Sequence, residues 1–131
     1  MKNFILVIPA RLNSTRLPRK LLLEIDGISI IKRTYNCALQ AVKDKSKIII
    51  ATDSEEIKTH CEGFGANTLM TSKNCLTGTD RVAEVSEKLD ADQYINLQGD
   101  EPIFPSNELK NFINEANKNP SEIYTGIKKI D

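Results

Sequence analysis

Short apolar runs alternate along the chain with stretches in which apolar residues recur every three or four positions. Phe4-Ile5-Leu6-Val7-Ile8 and Lys47-Ile48-Ile49-Ile50-Ala51 have no polar interruption in their centres, as expected of strands covered on both faces. Tyr94-Ile95-Asn96-Leu97 is a weaker third run, and residues 67–70 and 122–127 are candidates for two edge strands. Between the runs, Ile31, Tyr35, Ala38 and Val42 fall on one helical stripe. Ile57 with Cys61, Val82 with Val85 and Leu89, and Leu109 with Phe112, Ile113 and Ala116 form three more. Strand and helix in alternation predict an α/β fold, βαβ units feeding a parallel sheet.

Polar residues mark where these helices begin. Asp53 with Glu56 three positions on, Thr77 with Asp80, and Ser106 after Pro105 have the pattern of N-terminal caps, and Gly63 and Gly65 mark a stop. No linker, repeat or low-complexity block divides the 131 residues, so the pattern predicts one domain. A chain of this size buries about two thirds of its unfolded surface, enough for one core without disulfide or metal. The last residues, Lys128-Lys129-Ile130-Asp131, follow the final apolar run without a closing helix. The pattern therefore predicts a sheet that continues in residues this chain lacks, with an exposed edge favouring association or instability.

Charge narrows the chemistry. Eighteen Lys and Arg balance eighteen Asp and Glu, so no overall field is available for nucleic acid or an anionic membrane, and any anion site must be local. The first apolar run ends at Arg11, too soon for a signal sequence or a membrane span, which predicts a mature N-terminus. Cys37, Cys61 and Cys75 are odd in number and form no Cys-x-x-Cys pair, as expected in a reducing, cytoplasmic compartment. All three thiols are expected to be passive. His60 has no catalytic partner in sequence and is expected to be a surface or half-buried imidazole.

In an open parallel sheet, ligands bind beyond the carboxyl ends of the strands, and the loops expected there are rich in polar groups. Residues 9–20 place Arg11, Arg16, Arg19 and Lys20 among Ser14, Thr15 and Pro18, a plausible cradle for polyphosphate. Each charge-assisted bond there would contribute roughly 1.5–3 kcal/mol. The same residues also suit a solvated basic loop. Neither Gly-x-x-x-x-Gly-Lys nor Gly-x-Gly-x-x-Gly is present, so a nucleotide would need another mode of binding. Thr77-Gly78-Thr79-Asp80-Arg81 puts a glycine between two hydroxyls where a helix starts; free amides there suit a nucleotide, though capping alone explains the residues. In Asn96-Leu97-Gln98-Gly99-Asp100-Glu101-Pro102 a strand ends in a carboxylate-bearing turn, and Mg²⁺ prefers one or two carboxylates plus phosphate oxygens. A turn explains Asp100 alone but not Gln98. Asp53 reads as a helix cap and is left out of the predicted site.

Together, in this order, these segments resemble the cytidylyltransferases that activate 3-deoxy-D-manno-octulosonate (Kdo). The Gly-Thr-Asp-Arg string at 78–81 and the Leu-Gln-Gly-Asp-Glu-Pro string at 97–102 are the specific parts, whereas the Arg/Leu-Pro/Lys loop is shared more widely among sugar nucleotidyltransferases. The resemblance implies a Rossmann-like nucleotide-diphospho-sugar transferase fold, a three-layer α/β/α architecture. It also implies CTP and a 2-keto-3-deoxy sugar acid as substrates, Mg²⁺ as cofactor, and CMP-Kdo for lipopolysaccharide synthesis as product, with neither nucleic acid nor membrane as partner. By the same resemblance Arg11, Arg16 and Lys20 hold the triphosphate with help from Ser14 and the Ala10 amide. Thr77, Gly78, Thr79 and Arg81 contact the nucleotide, Gln98 faces the reacting centre and Asp100 binds the metal. Sialic-acid-like cytidylyltransferases share the phosphate loop but usually differ in the two later strings; a non-catalytic nucleotide-binding module is the alternative of another class. Many relatives have glycine where this chain has Arg19, which adds a cation beside Lys20. The resemblance covers the first half of the family's length, short of the part that supplies most sugar contacts, a second metal-binding Asp and the homodimer interface.

Overall fold

The computed structural model describes residues 3–12, 19–75, 77–97 and 123–124. Five parallel strands form one sheet: β1 (Phe4–Ala10), β4 (Ile48–Thr52), β5 (Thr68–Met70), β6 (Gln93–Asn96) and β7 (Ile123–Tyr124), in the order β5-β4-β1-β6-β7. The helices are α1 (Ile30–Val42), α2 (Glu55–Gly63) and α3 (Gly78–Lys88). The runs at 4–8, 47–51, 67–70 and 94–97 are all strands, and the apolar stripes at 31–42, 57–61 and 82–89 are all helices. The stripe at 109–116 and the cap at Ser106 lie outside the described residues.

Strand alternation sorts the core into two faces. Leu6, Ile8, Ile48, Ile50 and Ile95 join α1 and α2 through Ile31, Tyr35, Ala38, Ile57 and Cys61. Val7, Ala51 and Tyr94, from the opposite parity, join Val82 and Val85 of α3. Helices therefore cover both faces, which explains the unbroken apolar runs.

Chain direction reverses about β1. The connections through α1 and α2 carry the chain outward to β4 and β5, whereas α3 carries it back past β1 to β6, making the β1/β6 junction the topological switch point. The Val7 carbonyl accepts the Leu97 N–H at 2.9 Å, but Pro9, on the same side of the strand, has no N–H to continue the ladder; among the described residues the pairing with β6 runs to Asn96.

The stretch between β1 and α1, expected as one long loop, contains a one-turn helix at Lys20–Leu22 and a small hairpin, β2 (Glu24–Ile25) with β3 (Ile28–Ser29). Asp26 and Gly27 both have positive φ at its tip. Arg33 of α1 donates to the Ile25 and Ile28 carbonyls and fixes the hairpin to the helix.

Ser29 caps α1 and its hydroxyl also bonds His60 Nε2 at 2.7 Å, so the half-buried His60 ties α2 to the start of α1. Cys61 is fully buried between α2 and the sheet. Burial, reinforced by the charge of Glu62, pushes its thiol up to about 12. An unfolded chain ionises this thiol at an ordinary pH, so the contribution to stability is complete below the ordinary thiol pKa and is lost as pH rises toward about 12. Denaturation by urea across the alkaline range is expected to show wild-type stability falling more steeply than that of Cys61→Ala; parallel profiles would refute the assignment.

Candidate functional site

A cleft of about 860 Å³ lies beyond the carboxyl ends of β1, β4 and β5. Arg11 and Leu12 enter it directly after β1, Asp53, Ser54 and Glu55 after β4, and Met70, Lys73 and Cys75 after β5, while Arg81 reaches it from α3. Four separate segments thus converge because parallel strands all end on the same side.

Arg81 organises one wall. It is 1% exposed, and its guanidinium donates to Thr71 Oγ1 at 2.7 Å and to the Ser72 carbonyl at 3.5 Å, and pairs with Asp53 at 3.8 Å. Glu84, one turn further along α3, accepts the Ser72 N–H through both carboxylate oxygens at 2.9 and 3.0 Å. That bond, ahead of the ion pair with Lys88, lowers its pKa. The 71–75 turn is therefore clamped to α3 at two points. Cys75 donates to the Glu84 carboxylate at 3.6 Å; burial first, and neighbouring carboxylates with it, raise its pKa. A raised pKa disfavours the thiolate, the nucleophilic form.

Thr77 and Asp80 form a reciprocal capping box at the start of α3. The Asp80 N–H donates to Thr77 Oγ1 at 3.0 Å and the Thr77 N–H donates to Asp80 Oδ2 at 3.2 Å. Their side chains hold the helix end in place, leaving Gly78 and the exposed Thr79 in its first turn.

The cations of the cleft are of two kinds. Arg81 is neutralised within the protein, whereas Arg11 and Lys73 are exposed and make no ion pair among the described residues. Asp53 faces Arg81, and Glu55 is the other carboxylate among the described residues that line the cleft. No group of three metal-ligating side chains occurs among the described residues. A single carboxylate with phosphate oxygens would suit Mg²⁺, but Asp53 is already engaged by a buried guanidinium.

The sequence model of the cytidylyltransferase family, "Cytidylyltransferase", matches residues 5–131. The chain belongs to this family. Among its relatives, the 3-deoxy-manno-octulosonate cytidylyltransferase of Koribacter versatilis is 52% identical over 99 residues, 76% of this chain and 37% of the relative. That of Francisella philomiragia subsp. philomiragia is 49% identical over 114 residues, 84% of this chain and 44% of the relative. A solved CMP:2-keto-3-deoxy-manno-octonic acid synthetase complexed with CTP superposes with a TM-score of 0.83 at 38% identity, covering 90% of this chain and 48% of that one. The chain spans less than half the length of each.

Within this cytidylyltransferase fold, the structure brings Arg11 and Arg81 to one cleft, with Ala10 buried at the end of β1 behind Arg11. Lys20 is half-buried in the turn that follows Arg19, and Thr77, Gly78 and Thr79 open α3. Arg16, Ser14, Gln98 and Asp100 lie outside the described residues. Arg81, expected on the nucleotide, is buried and holds Asp53, Thr71 and Ser72. Asp53 needs correction: it is not the cap of α2. Ser54 takes that role, accepting the Ile57 N–H at 3.2 Å, and Asp53 faces Arg81 in the cleft. Sequence reasoning also missed Lys73. Its signal was a lysine shortly after an edge strand, in the turn leading to the Gly-Thr-Asp-Arg string.

Removing one partner of a buried ion pair leaves the other charge stranded, at a cost of about 3–5 kcal/mol, with the low end applying where one partner is partly exposed. Asp53→Asn is therefore expected to lower stability by about 3 kcal/mol in urea denaturation, and adding Arg81→Met to restore part of that loss. An unchanged midpoint for Asp53→Asn would show that the pair does not organise the wall.

Proposed function

We propose that this chain carries the nucleotide-binding part of a 3-deoxy-manno-octulosonate cytidylyltransferase, which joins CTP and a 2-keto-3-deoxy sugar acid into CMP-Kdo with release of pyrophosphate. The observation that carries this reading is the likeness, at 38% identity over 90% of the chain, to a synthetase solved with CTP. The names of relatives at 49% and 52% identity support the same sugar acid. Use of the product in lipopolysaccharide synthesis and a cytoplasmic location follow from that reading. So does a homodimer as the assembled form. Among the described residues, no helix is long and apolar enough to cross a membrane.

In this reading a hydroxyl oxygen of the sugar acid attacks the α-phosphorus of CTP in line. The new P–O bond forms as the bond to pyrophosphate breaks, and the hydroxyl proton leaves to solvent. The protein's task is alignment and charge neutralisation, so no covalent nucleophile is required. Arg11 and Lys20, with Arg16 and Ser14, would hold the β- and γ-phosphates and take up charge as pyrophosphate departs. Lys73, on the clamped 71–75 turn, adds a further cation to the same cleft. Thr77, Gly78 and Thr79 would meet the nucleotide at the start of α3, and Gln98 would face the reacting centre. Mg²⁺, held by Asp100, would supply charge neutralisation at the phosphates.

Calorimetric titration with CTP, with and without Mg²⁺, tests the binding; pyrophosphate release with Kdo and with sialic acid tests the reaction. The expected outcome is Mg²⁺-dependent binding of CTP in preference to ATP. Loss of one charge-assisted bond in Arg11→Ala should weaken it roughly ten- to hundredfold, and Asp100→Asn should abolish the metal dependence. Binding without turnover of any sugar acid would favour a non-catalytic module. Turnover of sialic acid alone would reassign the sugar, and absence of CTP binding would refute the reading.

A further inference from the structure

Arg19 adjoins Lys20 in the predicted phosphate loop, yet its guanidinium does not point into the cleft's unpaired charge. Its two terminal nitrogens donate one to each carboxylate oxygen of Glu56, Nη1 to Oε1 and Nη2 to Oε2, in the first turn of α2. Its main chain is fixed as well: the Arg19 N–H donates to the Leu12 carbonyl at 2.8 Å, and the Arg19 carbonyl accepts the Leu22 N–H at 3.1 Å. The first bond brings the chain just after Arg11 beside the chain just before Lys20. Arg19 also has φ 60°, the left-handed region that a residue with a side chain rarely adopts without compensating contacts. Glu56 responds in kind: the hydrogen bonds from Arg19 lower its pKa, so it is held as the carboxylate.

Such an arrangement has little use as a source of stability, since a half-exposed ion pair contributes little. Its geometric effect is larger. One residue joins the end of β1, the turn bearing Lys20 and the first turn of α2, whose neighbouring Glu55 lines the cleft. We propose that Arg19 is a positioning residue for nucleotide binding: paired with Glu56, it sets Lys20 against Arg11 and does not itself touch phosphate. This rests on the proposed CTP site.

The decisive variant is Glu56→Gln. If charge near the cleft were all that mattered, removing a carboxylate would tighten binding of an anion. If Arg19 were a phosphate ligand, releasing it from Glu56 would also tighten binding. Positioning predicts the opposite sign. CTP affinity, by calorimetry, is expected to fall about threefold to tenfold in Glu56→Gln and in Arg19→Met alike. The double variant should be no weaker than either single one, and the reversed pair Arg19→Glu with Glu56→Arg should recover part of the loss. Hydrogen exchange of the Arg19 amide in the nucleotide-free protein supplies a reading that does not depend on CTP, with faster exchange expected in Glu56→Gln. Unchanged or tighter CTP binding by Glu56→Gln, or a large loss in Arg19→Met alone, would overturn the proposal. If the wild-type protein does not bind CTP, the proposed function fails, and unchanged Arg19 exchange would then refute the coupling separately.

Discussion

A guanidinium buried at 1% exposure is the constraint on which the cleft depends. Water is excluded from Arg81, so its charge and donors must be met from within: it pairs with a carboxylate after β4 and donates to a hydroxyl and a carbonyl after β5. A helix that packs against the sheet through Val82 and Val85 is thereby indexed to the ends of two strands. Apolar packing alone tolerates sliding; a planar fork with directional donors does not. The start of α3 and the 71–75 turn, clamped again by Glu84, consequently occupy defined places around the cleft.

The remaining geometry follows from parallel strands. All five end on one side, and α3 recrosses the sheet on the face opposite α1 and α2, which makes the β1/β6 junction the switch point. Pro9, the next residue of β1 facing β6, has no N–H to offer this ladder. Charge is then graded by burial. Arg81 is neutralised deep in the wall and Arg19 is held by Glu56 outside it, whereas Arg11 and Lys73 face the cleft unpaired among the described residues. Two cations serve the architecture and two are open to an anionic ligand.

The strands and helices were legible because burial on both faces writes unbroken apolar runs, and amphipathic helices write a three-to-four period. The Thr77/Asp80 capping box was legible for a similar reason: the whole interaction lies within four residues. Asp53 was misread because Asp and Ser are comparably good caps and stand side by side. What decided between them was Arg81, a residue distant in sequence whose burial no local pattern records. The hairpin was missed although Asp26-Gly27 is a strong turn signal, because two-residue strands are too short to show alternation. Arg19 appeared to be one more phosphate cation. Its pairing with Glu56 joins segments separated by the whole of α1 and β4, so no spacing rule could reveal it. The resemblance to Kdo cytidylyltransferases identified the family, while the division of labour among its arginines required the structure.

A crystal structure of this chain with CTP and Mg²⁺ would test the account most directly. The triphosphate is expected against Arg11 and Lys20, with Arg81 still paired to Asp53 and Arg19 still on Glu56. A nucleotide bound away from the β1 end, or phosphates that draw Arg81 out of its buried pair, would contradict it.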